Sequence, residues 1–373
     1  MTSPLDNLSP ENIQTKLKST HSINFPRLLA KGNVSLVVST YQAGQLIVFR
    51  TDETGLNTHF VSFKKPMGLA ANRTRIALGT QNAITEFYNM PSAAAKLKPA
   101  GKYDSCYLHR NTQITGNIDI HEMDWAGEEL WFVNTRFSCL CTIDPAYSFR
   151  PRWQPPFIST IAPEDRCHLN GLAVVGDRPK YVTALGETNK PRGWRENKAN
   201  GGIIIDGETN EIICRGLSMP HSPRWYREKL WVLESGNGSL ATVDLATGKV
   251  ETVATFPGFT RGLVFAGNLA FIGLSQVRET AIFSGLPLTD RLEERISGVW
   301  VVNIDTGKMV AYSRFDGSVR EIFGVGLLPQ TRFPEIMLGD HEILDASYAL
   351  SDEVLKKILN EPRLEEINKS SKN

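Results

Sequence analysis

A single phrase recurs along this chain and limits what it can fold into. An apolar, alternating strand runs into a turn built on Asp, Thr and Gly or their relatives, and a second strand follows. It appears as LIVFRTDETG (46–55), LCTIDPAYS (140–148), GIIIDGETN (202–210), LATVDLATG (240–248) and VWVVNIDTG (299–307). Period-two alternation closed by Asp/Asn-Gly turn chemistry specifies β-hairpins. Repetition of the unit specifies a closed or stacked array.

A second phrase marks where each unit begins. Strand-like segments MGLAAN (67–72), HEMDWAG (121–127), HLNGLAVVGD (168–177), HSPRWYRE (221–228), TRGLVFAGN (260–268) and IFGVGLLP (322–329) precede short strands such as LWFVN, YVTAL, LWVLES and LAFIGL. They are six first strands, about 40 to 60 residues apart, which is the spacing of four-stranded propeller blades. The ends complement each other. Residues 34–40, 44–52 and 58–65 give three strands without a first strand, and 322–329 gives a first strand without a blade. Joining them closes the ring and removes its edges. The fold expected is an all-β, six-bladed β-propeller over residues 31–345, with an N-terminal extension (1–30) and a helical tail (346–373). A further apolar run, PEIMLGD (334–340), leaves a seventh blade open. Five tryptophans (125, 131, 225, 231 and 300) recur near strand starts and are expected to fill the spaces between blades.

Charge sets limits on partners. Lys and Arg number 41 and Asp and Glu 40, mixed along the chain, which argues against a nucleic-acid surface. No segment approaches the roughly 18 apolar residues of a membrane helix, and the N-terminus does not read as a secretory signal. Five cysteines, an odd number without a C-x-x-C pair, argue against a disulfide framework and suit a reducing cytoplasm. The sequence does not set the oligomeric state. Phosphate-loop and nucleophile-elbow motifs are absent, which leaves nucleotide and serine hydrolysis unsupported.

Histidine placement points to chemistry. Three of the seven histidines, His121, His168 and His221, fall at the same register of three consecutive first strands, and first strands line the axis. Imidazoles converging from three directions are expected to hold one divalent transition metal with open positions, either zinc, copper or iron. A lone strand histidine is ordinarily a hydrogen-bonded core residue; the shared register argues otherwise. The loops on the same face carry Tyr41, Gln42, Arg136, Glu187, Trp194 and Arg195 as candidate substrate-binding residues. Glu234, Glu279, Arg278 and Arg261 are candidate catalytic residues, with Glu187, Glu234 and Glu279 suited to a general base or a fourth ligand. Arginines around a metal suit an anionic or carboxylate-bearing ligand, and polar surface loops in general supply the plainer explanation.

At CHLNGLA (167–173), GWRENKANGG (193–202), MPHSPRW (219–225), LWVLESG (230–236) and PGFTRGL (257–263), the chain resembles an uncharacterised bacterial family of conserved hypothetical proteins with propeller-like sequence. The resemblance covers nearly the whole chain and implies no activity. More distantly the layout is similar to metal-dependent propeller enzymes: senescence-marker-type lactonases, streptogramin lyases and peptidylglycine lyases. The lactonase ligands Glu, Asn and Asp do not stand at the histidine positions, and the three-histidine set is nearer the zinc lyases.

The expected function is a metal-dependent enzyme acting on a small polar or anionic molecule or a modified peptide. It would be a lyase or hydrolase with zinc, and an oxidase or oxygenase with copper or iron. The alternatives are a non-catalytic scaffold binding a protein or glycan, and a metal sensor or carrier.

Overall fold

The strand that closes the ring comes from the far end of the chain. In a computed structural model, which describes residues 17–277, 284–339 and 342–360, Gly324–Pro329 pairs antiparallel with Val34–Thr40 from Val34 opposite Pro329 to Ser39 opposite Gly324. Gln45–Asp52 and Gly55–Ser62 complete that blade outward. Going round, the other five inner strands are Leu69–Ala71, Ile120–Ala126, Leu169–Val175, Pro220–Tyr226 and Phe259–Ala266. The described residues thus form six sheets, and the chain is a six-bladed β-propeller.

The turns follow from the recurring Asp or Asn. Asp244 Oδ1 accepts the backbone N–H groups of Ala246 and Thr247, and Asp206 does the same for Glu208 and Thr209. Asp144 and Asn303 repeat the arrangement. These Asx turns reverse the chain between third and fourth strands.

Alternation places each strand's side chains in two different interfaces. In Lys229–Glu234, Leu230 and Val232 pack toward Tyr181 and Ile204 of the preceding blade, while Trp231 and Leu233 pack toward Leu263 and Ile272 of the next. Both faces are buried, so the strand reads as a continuous apolar run. Each such side chain stabilises the ring by roughly 1.5–3 kcal/mol. The five tryptophans lie in these seams as expected.

Two outer strands modify the expected boundaries. Pro334–Met337 does not begin a seventh blade: it pairs parallel with Ser105–Ile114 as the outermost strand of the Leu69–Ala71 blade. Ser19–His21 pairs with Met309–Phe315, and the helix Asn24–Gly32 buries Phe25 and Leu29 against Phe49, Phe271 and Phe315. Residues 19–32 therefore belong to the toroid rather than to an extension. The tail helix is described over Asp352–Asn360. Among the described residues no helix is long and apolar enough to cross a membrane.

Candidate functional site: a histidine-floored axial cup

On the face where chains enter the inner strands, a cavity of about 720 Å³ opens on the axis. His121, His168 and His221 all line it, from three consecutive blades. Their registers differ. His121 and His221 are the second residues of their strands, whereas His168 stands one residue ahead of its strand. The position equivalent to His121 is taken by Asn170, which is buried and hydrogen-bonded to Thr183 Oγ1 and to Pro220 O. The shared register is therefore corrected to two histidines in register and one displaced.

Local backbone fixes each ring. Asp119 and Met219 hold left-handed conformations (φ 53° and 47°), which turn their carbonyls back toward the imidazole two residues on. His121 Nδ1 donates to Asp119 O at 3.0 Å, and His221 Nδ1 donates to Met219 O at 2.9 Å, with Ser235 Oγ also 2.9 Å away. His168 and Asp165 are themselves left-handed (φ 50° each), and Asp165 Oδ1 accepts from His168 Nδ1 at 2.9 Å. Left-handed backbone costs a non-glycine residue roughly 1–2 kcal/mol, and such strain gathers at functional sites. A carbonyl can only accept, so the proton sits on Nδ1 and the lone pair on Nε2. Among the described residues no hydrogen bond engages any of the three Nε2 atoms.

Burial holds the His121 and His221 imidazoles well below the usual histidine range, and the Arg261 guanidinium adds to the shift in both. They are neutral at physiological pH. The ring centroids of His121 and His168 are 4.7 Å apart and nearly perpendicular. Even so, among the described residues no three His, Cys, Asp or Glu side chains stand in an arrangement that would hold a metal ion.

The walls are aromatic and cationic. Trp194 lies 4.4 Å from the His168 ring and donates Nε1 to Asp165 Oδ2 at 3.0 Å. Phe323 packs 5.2 Å from His121, stacks with Tyr41 at 6.0 Å, and carries the Arg261 guanidinium 3.4 Å above its centroid. Deeper in the channel, Arg224 pairs with Glu122 and donates to Leu263 O and Pro223 O. Arg224 also lines a small cavity with Ala71, Phe265 and Pro329, at the other ends of the inner strands. Arg224 thus runs from Glu122, the residue after His121, to this second cavity.

The sequence's other candidates divide sharply. Tyr41, Gln42, Trp194, Arg195 and Arg261 line the cup as expected. Arg136 does not line it; its Nη2 is 3.3 Å from Asp119 Oδ2, behind the His121 turn. Glu187 faces a separate cavity of about 460 Å³ beyond Trp194 and pairs with Arg215 at 3.0 Å. Glu234 is buried, is not among the residues lining the cup, and accepts the Ser218 N–H at 3.3 Å. Arg278 and Glu279 lie outside the described residues. Asp165, Asp119, Glu321 and Phe323 line the cup without having been singled out from sequence. All four sit in segments that enter inner strands, and that position is the signal that finds them.

Residues 23–337 match the domain of unknown function DUF4915, a span that runs from the first helix to the outermost strand of the second blade. The chain belongs to the DUF4915 family. Among curated proteins, none matches this sequence. In solved structures, this DUF4915 member is similar to a chain of the nidogen/laminin complex (TM-score 0.52, 9% identity, 79% of this chain and 98% of that one). It is similar to the same degree to a Bacteroides caccae protein of unknown function (TM-score 0.51, 8% identity, 79% and 98%). At such identities these likenesses concern the DUF4915 fold alone.

Proposed function

We propose that the axial cup is an active site. In this reading the Nε2 atoms of His121, His168 and His221 take a divalent transition metal, and a small polar or anionic molecule is transformed beside them. One observation carries the proposal: each Nδ1 is spent on an acceptor, so three lone pairs are presented in one enclosed cup. Anchoring of the far ring nitrogen is what metal-binding histidines require, and Asp165 is the kind of carboxylate that supports one. Neutral imidazoles also suit ligation, since binding displaces no proton from them. The rings must draw together from the positions described to share an ion. Zinc, copper or iron would supply Lewis-acid or redox chemistry there. The chain's own residues hold the rings, close the floor and exclude water.

A second reading follows from that separation of the rings. Without an ion, His168 backed by Asp165 is a proton-transfer pair, and the cup acts on its ligand without metal. A cytoplasmic location belongs to the proposal and is consistent with five free, buried cysteines.

Elemental analysis of purified protein, repeated after zinc loading and dialysis, separates the readings. Close to one metal per chain, lost in each of His121→Ala, His168→Ala and His221→Ala, supports the first. A folded protein that retains no metal after loading overturns it. Turnover against a panel of small acids, esters and lactones then distinguishes the metal-free enzyme from a non-catalytic scaffold for a protein or glycan.

A further inference from the structure

The cup holds a guanidinium that forms no ion pair among the described residues. Arg261 lines the cavity, yet it makes no hydrogen bond or ion pair with any described residue, and its Nη2 is buried without a partner. Its guanidinium lies against the face of Phe323. Burial lowers Arg261 to about 10. A charge withdrawn from water and left unpaired is expensive, and proteins seldom keep one without a use.

None of the neighbouring acids forms an ion pair with it. Asp119 is paired with Arg136, and both oxygens of Asp165 are engaged by His168 and Trp194. Glu321 lines the same cup and favours the charged form of Arg261, but the two form no ion pair. The rest of the wall sets the apolar Tyr41, Trp194, Met219, Phe259, Val277 and Phe323 beside the polar Gln42, Arg195 and Ser275. A cavity of about 720 Å³ falls within the roughly 300–1,000 Å³ that encloses a small molecule.

We infer that Arg261 anchors the carboxylate of a small monocarboxylic acid whose apolar or aromatic body lies along the Tyr41–Phe323 wall and against Phe259. The guanidinium offers the in-plane N–H fork that a carboxylate accepts, and the exclusion of water strengthens the pair. The histidine floor then faces the part of the ligand near its acid group. This inference rests on the cup being where substrate binds, and it does not require the metal.

The test uses 3-phenylpropanoate and 3-phenylpropanamide, two ligands of matched shape that differ in charge. Binding to the full-length protein is followed by calorimetry and by tryptophan fluorescence, with EDTA present so that no metal can act as the anchor. The acid should bind at least about tenfold more tightly than the amide, a difference of about 1.4 kcal/mol. Arg261→Gln should abolish that preference while a circular-dichroism melt shows the fold retained. Glu321→Gln should tighten binding of the acid, because it removes a like charge. His168→Ala should keep the preference, so loss of metal or turnover in that variant leaves this inference standing. Equal binding of acid and amide by the wild type, binding of neither, or a preference that survives in folded Arg261→Gln would overturn it.

Discussion

Asp165 holds two cup residues at once: Oδ1 takes the His168 Nδ1 proton at 2.9 Å and Oδ2 takes the Trp194 indole N–H at 3.0 Å. The other two floor histidines lean on backbone carbonyls, so His168 alone has a charged support. The same carboxylate fixes the aromatic wall that separates the cup from the cavity beyond it. Orientation of the ring and closure of the wall are therefore coupled through one side chain.

Asp165→Asn tests that coupling. Zinc affinity is expected to fall by about 10- to 100-fold, the usual effect of losing a carboxylate behind a ligating histidine. Trp194 emission should change in the same variant, while the thermal midpoint moves little. Zinc affinity unchanged from the wild type would mean that Asp165 serves the wall only.

Glu335 ties the outermost strand of one blade to its neighbour through Arg50 (3.1 Å) and His59 (2.8 Å), and these partners hold its carboxyl below the usual range despite burial. A depressed carboxyl adds stability above its unfolded value, near 4.5, and that contribution is lost as pH falls through the folded value. Glu335→Gln should therefore cost about 3 kcal/mol at neutral pH, as expected for breaking a buried pair. The gap from wild type should shrink once the pH drops below 4.5. Denaturant melts at several pH values check this.

Gly262 follows the proposed carboxylate anchor and brings its blade against the closing strand. Its φ is +78°, and an added Cβ would stand 2.6 Å from the Val325 backbone nitrogen. Gly262→Ala should destabilise the ring by at least about 2 kcal/mol, because both conformation and space oppose it. Gly267, a turn glycine at φ +59° with open space around it, provides the contrast; its alanine variant should cost about 1 kcal/mol. Thermal melts of the pair separate packing from conformation.

All five cysteines are buried and unpaired, and burial raises the Cys106 and Cys167 thiols to about 12 and Cys214 to about 11. Thiolate is the reactive form, so the native protein should titrate no thiols with an aromatic disulfide reagent at pH 8. Five should appear on denaturation. Rapid reaction of any thiol in the native state would contradict this burial.

The ring was legible in the sequence because closure is a matter of pattern. Three N-terminal strands lacked an inner partner, and residues 322–329 had no blade of their own. The outermost strands were legible only in part: 334–340 read as a possible strand without its place in the ring, and Ser19–His21 is too short for alternation to distinguish it from loop. Within the site, the histidines were legible because their residue type is rare and recurs between blades. The displacement of His168 was hidden, since a left-handed residue before the strand shifts register without changing composition. Glu234 meets a related limit. Its place at a strand end suggested the cup, but polarity does not say whether a strand-end carboxylate faces the axis or a neighbouring backbone N–H. Asp165 was not legible because nothing in the composition of its entering segment says that it supports His168 and Trp194.

The central claim is that three imidazoles on the axis can share one ion. Crystals grown with zinc and measured at its absorption edge address it directly. The expected result is a single strong anomalous peak in the cup, roughly 2.0–2.1 Å from Nε2 of His121, His168 and His221. A cup without a peak at full zinc loading, or zinc bound only at other surface positions, would contradict it.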